Sequence, residues 1–252
     1  MRNISESNFA GKVVFITGAA SGFGTLLAEK LAGRGAKLLL CDINAAGVAA
    51  VAKTLAADVV VTACDVTDEA QVKAAVELAI TSFGRLDIAI NNAGIASPMK
   101  SLIDTTEEDM DRNFSVNTKG VFFGMKYQIP IMVQQGGGAI LNVASMAGIN
   151  GAPKLTSYVA AKHAVVGISK TAALEFARKN VRVNAVCPYF SPTPLVADSA
   201  DADVVQMVAS GSPMKRLGDP EEMVNAMLHI VDPDNTYMNG LAIAVDGGVS
   251  AI

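Results

Sequence analysis

The chain has 252 residues, a formal net charge of −4 and a hydrophobic fraction of 51%, with no tryptophan. That length suits a single doubly wound α/β domain with an aliphatic core, and a mildly acidic chain without a lysine or arginine run lacks the electrostatic footprint of a nucleic-acid binder. No apolar stretch reaches the roughly 18 residues that a membrane span requires, and residues 1–11 hold no apolar core of signal length, so a soluble, cytoplasmic, unexported protein is expected.

Residues 12–17 form a short run rich in β-branched and aromatic side chains, as a strand buried on both faces requires. The turn Gly18-Ala19-Ala20-Ser21-Gly22-Phe23-Gly24 follows. Leu26, Leu27, Lys30 and Leu31 then recur at helical spacing up to Gly33 and Gly35. Glycines let backbone N–H groups close on an anion, and the helix that follows points its positive end at the same place, which makes the turn a pyrophosphate seat. A second strand, 36–41, ends in Asp42, roughly 20 residues beyond the glycines, where a dinucleotide site needs a carboxylate for the ribose diol. A carboxylate repels a 2′-phosphate, and neither Ser21 nor Ile43 offers a cation to hold one, so the pattern favours NAD over NADP.

Further strands are expected at 59–64, 86–90, 139–143, 181–186 and 241–245, and helices at 45–56, 69–83, 107–134, 157–178 and 220–231. This alternation predicts a Rossmann-like, doubly wound, seven-stranded parallel sheet with helices on both faces, one domain over residues 1–252. Its one long excursion, residues 188–220, follows a strand end and contains a short helical stretch at 202–209. It reads as a substrate lid or as a plain surface excursion.

Several polar residues stand at strand ends or break a helical pattern. Asp65 follows the third strand and suits a turn or helix cap as well as a ligand contact. Asn91-Asn92-Ala93-Gly94 follows the fourth and reads equally as a turn. Asn117 interrupts the 107–134 pattern, where asparagine invites a local irregularity. Ser145 closes the fifth strand. Tyr158 and Lys162, four apart on a helix, project from one face, so the ammonium is expected to stabilise the phenolate and bring the tyrosine toward working pH. Cys41, Cys64 and Cys187 fit neither a zinc spacing nor a disulfide framework, and no metal site is expected. His163 and His229 lack partner spacing and read as structural.

Thr17-Gly18-x-x-x-Gly22-x-Gly24, Asn91-Asn92-Ala93-Gly94, Asn117, Ser145 and Tyr158-x-x-x-Lys162, in that order, resemble the short-chain dehydrogenase/reductase family over about residues 11–248. The resemblance implies a catalytic set of Asn117, Ser145, Tyr158 and Lys162. Tyr158 exchanges a proton with the substrate oxygen, Ser145 positions that oxygen, and Lys162 serves the phenol and the nicotinamide ribose. Asn117 holds a relay water through a freed backbone carbonyl. The implied cofactor contacts are Gly18, Ser21, Gly22, Phe23, Gly24, Asp42, Ile43, Asp65, Val66, Asn91, Ala93, Gly94, Pro188 and Thr193, together with Tyr158 and Lys162. A homotetramer packed through the helices around Asn117 and Tyr158 is implied as well.

One departure stands out: the family's glycine after Pro188 is Tyr189 here, which reads either as an aromatic wall beside the nicotinamide or as a repacked loop. Met146, Pro153, Tyr189, Phe190, Leu195, Met207 and Met214 are candidates for an apolar substrate surface. The expected reaction is NAD-dependent interconversion of an apolar or cyclic secondary alcohol and its ketone. The alternatives are a 3-oxoacyl thioester reductase and a nucleotide-sensing module without turnover.

Overall fold

Short runs of valine, isoleucine and leucine form the strands, because β-branched side chains fit a pleated surface covered on both faces. In the computed structural model, which describes residues 8–197 and 202–251, these are β1 Val13–Thr17, β2 Lys37–Asp42, β3 Val59–Ala63, β4 Ile88–Asn91, β5 Gly138–Val143, β6 Val181–Pro188 and β7 Ala242–Val245. They make one parallel sheet in the order β3-β2-β1-β4-β5-β6-β7. The chain runs outward from β1 to β3 and returns on the other side of β1, so the crevice between the carboxyl ends of β1 and β4 is the topological switch point where ligands bind. The polar start of the chain as far as residue 7, residues 198–201 of the 188–220 excursion, and residue 252 lie outside the described residues.

The helices are α1 Gly22–Ala32, α2 Ala45–Thr54, α3 Glu69–Phe83, α4 Glu107–Asn113, α5 Gly120–Gln134, α6 Thr156–Phe176, α7 Pro194–Ala197, α8 Ala202–Gly211 and α9 Pro220–Val231. Alternate strand residues feed two cores. Phe15, Leu39 and Cys41 pack with α3, α5 and α6 on one face, and Val14, Ile16, Leu38 and Leu40 pack with α1 and α9 on the other. Period-2 alternation places successive side chains on opposite faces, so apolar residues at every position bury both.

The single helix expected over 107–134 is three pieces. Between α4 and α5 the backbone widens into a π-helical turn, Phe114–Lys119, in which the Gly120 N–H reaches back to the Ser115 carbonyl. Such bulges insert a residue and redirect the side chains beside it. Asn117 and Thr118 are the buried residues of this turn.

Candidate active site

The glycine turn is stitched to the end of β4. Thr17 Oγ1 accepts from the N–H groups of Asn92 and Ala93, both at 3.0 Å, and Asn92 Nδ2 donates to the carbonyls of Thr17 at 3.0 Å and Gly18 at 3.1 Å. Sequence reading missed Thr17 and Asn92 as functional positions, since each partner lies some 75 residues away in the chain. Gly18 has φ of +66°, and a Cβ there would stand 2.8 Å from Ala93 Cα; a Cβ on Gly24 would run into the Gly18 carbonyl. The turn therefore needs glycine for both its backbone conformation and its close approach.

What it leaves open suits an anion. Ser21 is extended and makes no side-chain cap bond, and the first turn of α1 carries no acid, so the helix-start N–H groups have no side-chain acceptor. Thr193 lies across this cradle, its Cβ 3.6 Å from where a Gly22 Cβ would sit, and Pro188 ends β6 beside Val245. This donor set fits the pyrophosphate of a dinucleotide. Phe23 turns into the core beside α1, and Ala93 backs Gly18.

Asp42, at the end of β2, accepts from Ala20 N at 3.0 Å through one carboxylate oxygen and from Asn44 N at 2.9 Å through the other. It thus fixes the glycine turn while presenting its charge where the ribose diol is expected. Ile43 beside it is 72% exposed. Asp65 forms an Asx turn, accepting from Thr67 N at 2.9 Å and Thr67 Oγ1 at 2.8 Å, while Asp68 caps α3. Val66 is buried against Gly120. The Asn91 side chain does not face the crevice: it exchanges hydrogen bonds with Gln128 and donates to Asn142, which donates in turn to Ser169. Its side chain binds α5 and α6 to the sheet, leaving only its backbone at the cofactor crevice.

The four expected catalytic residues converge on the other wall. Asn117, fully buried, accepts from Ile95 N at 3.0 Å and donates to Ile95 O at 3.1 Å, which locks the loop after Gly94 to the π turn. A Cβ on Gly94 would lie 2.8 Å from Asn117 Oδ1 and 3.5 Å from Lys162 Nζ, so both side chains flank that glycine. Ser145, extended at the end of β5, accepts from Ala147 N at 3.1 Å and donates to the Tyr158 phenol. Lys162, 4% exposed, donates to the Val143 carbonyl at 2.8 Å and stands 5.6 Å from the Tyr158 ring centroid.

The electrostatics correct one expectation. Burial pushes the Tyr158 phenol up, outweighing the pull of the Ser145 hydrogen bond, and the Lys162 ammonium is not among the groups that lower it. Burial also lowers Lys162 itself to about 8. The ammonium spends its close contact on Val143 rather than on the phenol oxygen, while desolvation disfavours both charged forms.

Of the apolar residues expected at the substrate surface, Met146 and Phe190 are half-buried, Pro153 is exposed, and Leu195, Met207 and Met214 are 41%, 57% and 57% exposed. Tyr189 takes an ordinary backbone conformation, donates from its N–H to Val245 O and from its hydroxyl to Val208 O in α8 at 3.1 Å, and meets Phe190 edge to face. The cavity of about 150 Å³ that it lines, with Ser212, Met214 and Val245, includes none of Ser145, Tyr158 and Lys162. The ring is thus held against α8.

A family model described as enoyl-(acyl carrier protein) reductase matches residues 18–250. The chain is 37% identical over 254 residues to a cyclohexanol dehydrogenase of an Acinetobacter species, covering all of both chains. A crystal structure of levodione reductase superposes with a TM-score of 0.94 at 36% identity, over 96% of this chain and 99% of that one. A 3-ketoacyl-(acyl-carrier-protein) reductase from Brucella melitensis, complexed with NADH, does so with a TM-score of 0.90 at 36% identity over the same shares.

Proposed function

The chain belongs to the short-chain dehydrogenase/reductase family of oxidoreductases, and from that premise we propose that it interconverts an apolar or cyclic secondary alcohol and its ketone with NAD. The observation that carries this reading is the convergence of Ser145 and Lys162 on the half-buried Tyr158 phenol. A bound nicotinamide supplies the hydride acceptor or donor and, when oxidised, a positive charge. Once that charge helps it ionise, Tyr158 as phenolate takes the proton from the alcohol oxygen in oxidation, and as phenol it returns it in reduction. Ser145 turns its one O–H from the phenol to the substrate oxygen as charge gathers there. Asn117 and Lys162 hold the floor of the site, and a water between the π turn and the ammonium connects the phenol to solvent.

Asp42 supports NAD over NADP, because its charge opposes a 2′-phosphate. The apolar exposures of Leu195, Met207 and Met214 support an apolar substrate, as do relatives named cyclohexanol dehydrogenase and levodione reductase. Residues 188–220 act as the lid over it. Exposed Phe114 and Phe122, on the π turn and α5, and Leu174 on α6 support a homotetramer packed through these helices. Three buried free thiols suit the reducing cytoplasm.

The experiment is a panel of cyclic and open-chain secondary alcohols with NAD, followed by NADH absorbance, with Tyr158→Phe as control. Turnover on cyclic alcohols that the variant loses while still binding NAD is expected, and equal rates for the two proteins would remove Tyr158 as the acid/base. A 3-oxoacyl thioester reductase is the second reading, favoured by the Brucella relative; NADPH preference with turnover of acyl thioesters would establish it instead. NAD binding without hydride transfer on any substrate would leave a nucleotide-sensing module.

A further inference from the structure

The π turn, directly through Thr118 and by way of Asn113 at the end of α4, is tied to α6 in two places, each one residue before a catalytic side chain. Thr118 Oγ1 donates to the Ala161 carbonyl at 2.9 Å, ahead of Lys162. Asn117 Nδ2 donates to Asn113 Oδ1 at 3.1 Å, Asn113 Nδ2 reaches Ser157 Oγ at 3.4 Å, and Ser157 Oγ pairs with Ser97 Oγ at 3.1 Å, ahead of Tyr158. Every side chain in these two ties is buried, with exposures of 0% for Asn117, 2% for Asn113, 4% for Thr118 and Ser157 and 5% for Ser97.

Ser157 and Ala161 stand four apart and so share one face of α6; Tyr158 and Lys162 share the next face, about 100° around the helix. Fixing the first face fixes the direction of the second. A small rotation about the helix axis would swing the phenol away from Ser145 and the ammonium away from Val143, while leaving most of the packing intact. Continuous α-helix through 113–120 would not direct both Asn117 and Thr118 inward as the widened turn does.

We infer that Ser97, Asn113, Thr118 and Ser157 are positioning residues that set the rotation of α6 and thereby where Tyr158 and Lys162 point. The inference rests on the proposed role of those two residues. It gives the π turn a second task beyond carrying Asn117.

Thr118→Val keeps the shape and removes the hydroxyl, and Thr118→Ser restores it. Thr118→Val is expected to lower kcat roughly 10- to 100-fold, as sub-ångström misplacement of catalytic groups does, with NAD affinity and substrate KM little changed. Thr118→Ser should recover to within about threefold of wild type. A second readout needs no turnover: the Tyr158 phenol, isolated as the difference between each protein and its Tyr158→Phe counterpart in a tyrosinate absorbance titration. In wild type it should titrate above the ordinary 10.0, and in Thr118→Val it should fall back toward that value as the ring loses its buried seat. An unchanged phenol titration in folded Thr118→Val overturns the inference, as does equal impairment of the Val and Ser variants. Should Thr118→Val fail to fold, Ser97→Ala decides: a lowered kcat and shifted phenol support the tie, and wild-type values for both overturn it. If wild type oxidised no alcohol, the functional reading would fall, and the titration would still decide this one.

Discussion

The Lys162 ammonium donates to the Val143 carbonyl at 2.8 Å, so the cation four residues after the tyrosine is held by β5 and not by the phenol. Burial lowers it from an ordinary 10.5 to about 8. Between those values the unfolded chain binds the extra proton, so the native state gains stability as pH rises through that window and carries the full burden of the buried charge below it. That burden is on the order of 3 kcal/mol, only partly offset by the roughly 1.5–3 kcal/mol of a charged donor's hydrogen bond to Val143.

Lys162→Met should therefore melt at a higher temperature than wild type at neutral pH while losing at least about 100-fold in turnover. The stability gap should narrow as pH climbs from about 8 toward 10.5. Thermal unfolding of both proteins across that range checks it; a variant less stable than wild type at neutral pH would contradict the sign.

Asp42 carries two loads, one legible and one not. Its charge at a strand end, in register with the glycines, marks a ribose contact, but its bonds to Ala20 N and Asn44 N appear only once the loop is folded around it. Asp42→Asn removes the charge and one of the two acceptors. The ratio of kcat/KM with NAD to that with NADP should fall by about tenfold or more, as losing a repulsion of ~1.4 kcal/mol implies. The melting temperature should drop slightly because Ala20 N or Asn44 N loses its partner. An unchanged cofactor ratio would show that the carboxylate does not face the 2′ position.

The strands were legible because their chemistry is local: Val13 to Thr17 and Lys37 to Asp42 are apolar at nearly every position, and a glycine or an acid ends each core run. Asn117 marked the break in the long helix for a local reason as well, a poor helix former in mid-helix. Its two-bond pairing with Ile95, which anchors the turn to the loop after Gly94, is something no periodicity reveals. The direction of the Asn91 side chain was not legible, for the complementary reason. The motif places it at the cofactor, while its amide closes a buried network with Gln128 and Asn142, 37 and 51 residues away. The direction of the Tyr158 shift was not legible because the lysine is visible in the sequence and the desolvation is not.

Tyr189, where the family pattern has glycine, couples the loop after β6 to α8. Its hydroxyl donates to Val208 O at 3.1 Å, a carbonyl inside α8, and its backbone N–H binds Val245 O on β7, so one residue joins the sheet edge to α8. A net hydrogen bond of this kind contributes about 0.5–1.5 kcal/mol, enough to change the open fraction of a lid by roughly two- to tenfold. Tyr189→Phe keeps the ring and its contact with Phe190 and removes only the tie. Limited proteolysis within residues 202–211 should then quicken by about that factor, with global melting nearly unchanged, since the opening is local. Saturating substrate should restore protection if the excursion closes over it. Cleavage at the wild-type rate would mean that the hydroxyl does not hold α8, and Tyr189 would then be packing alone.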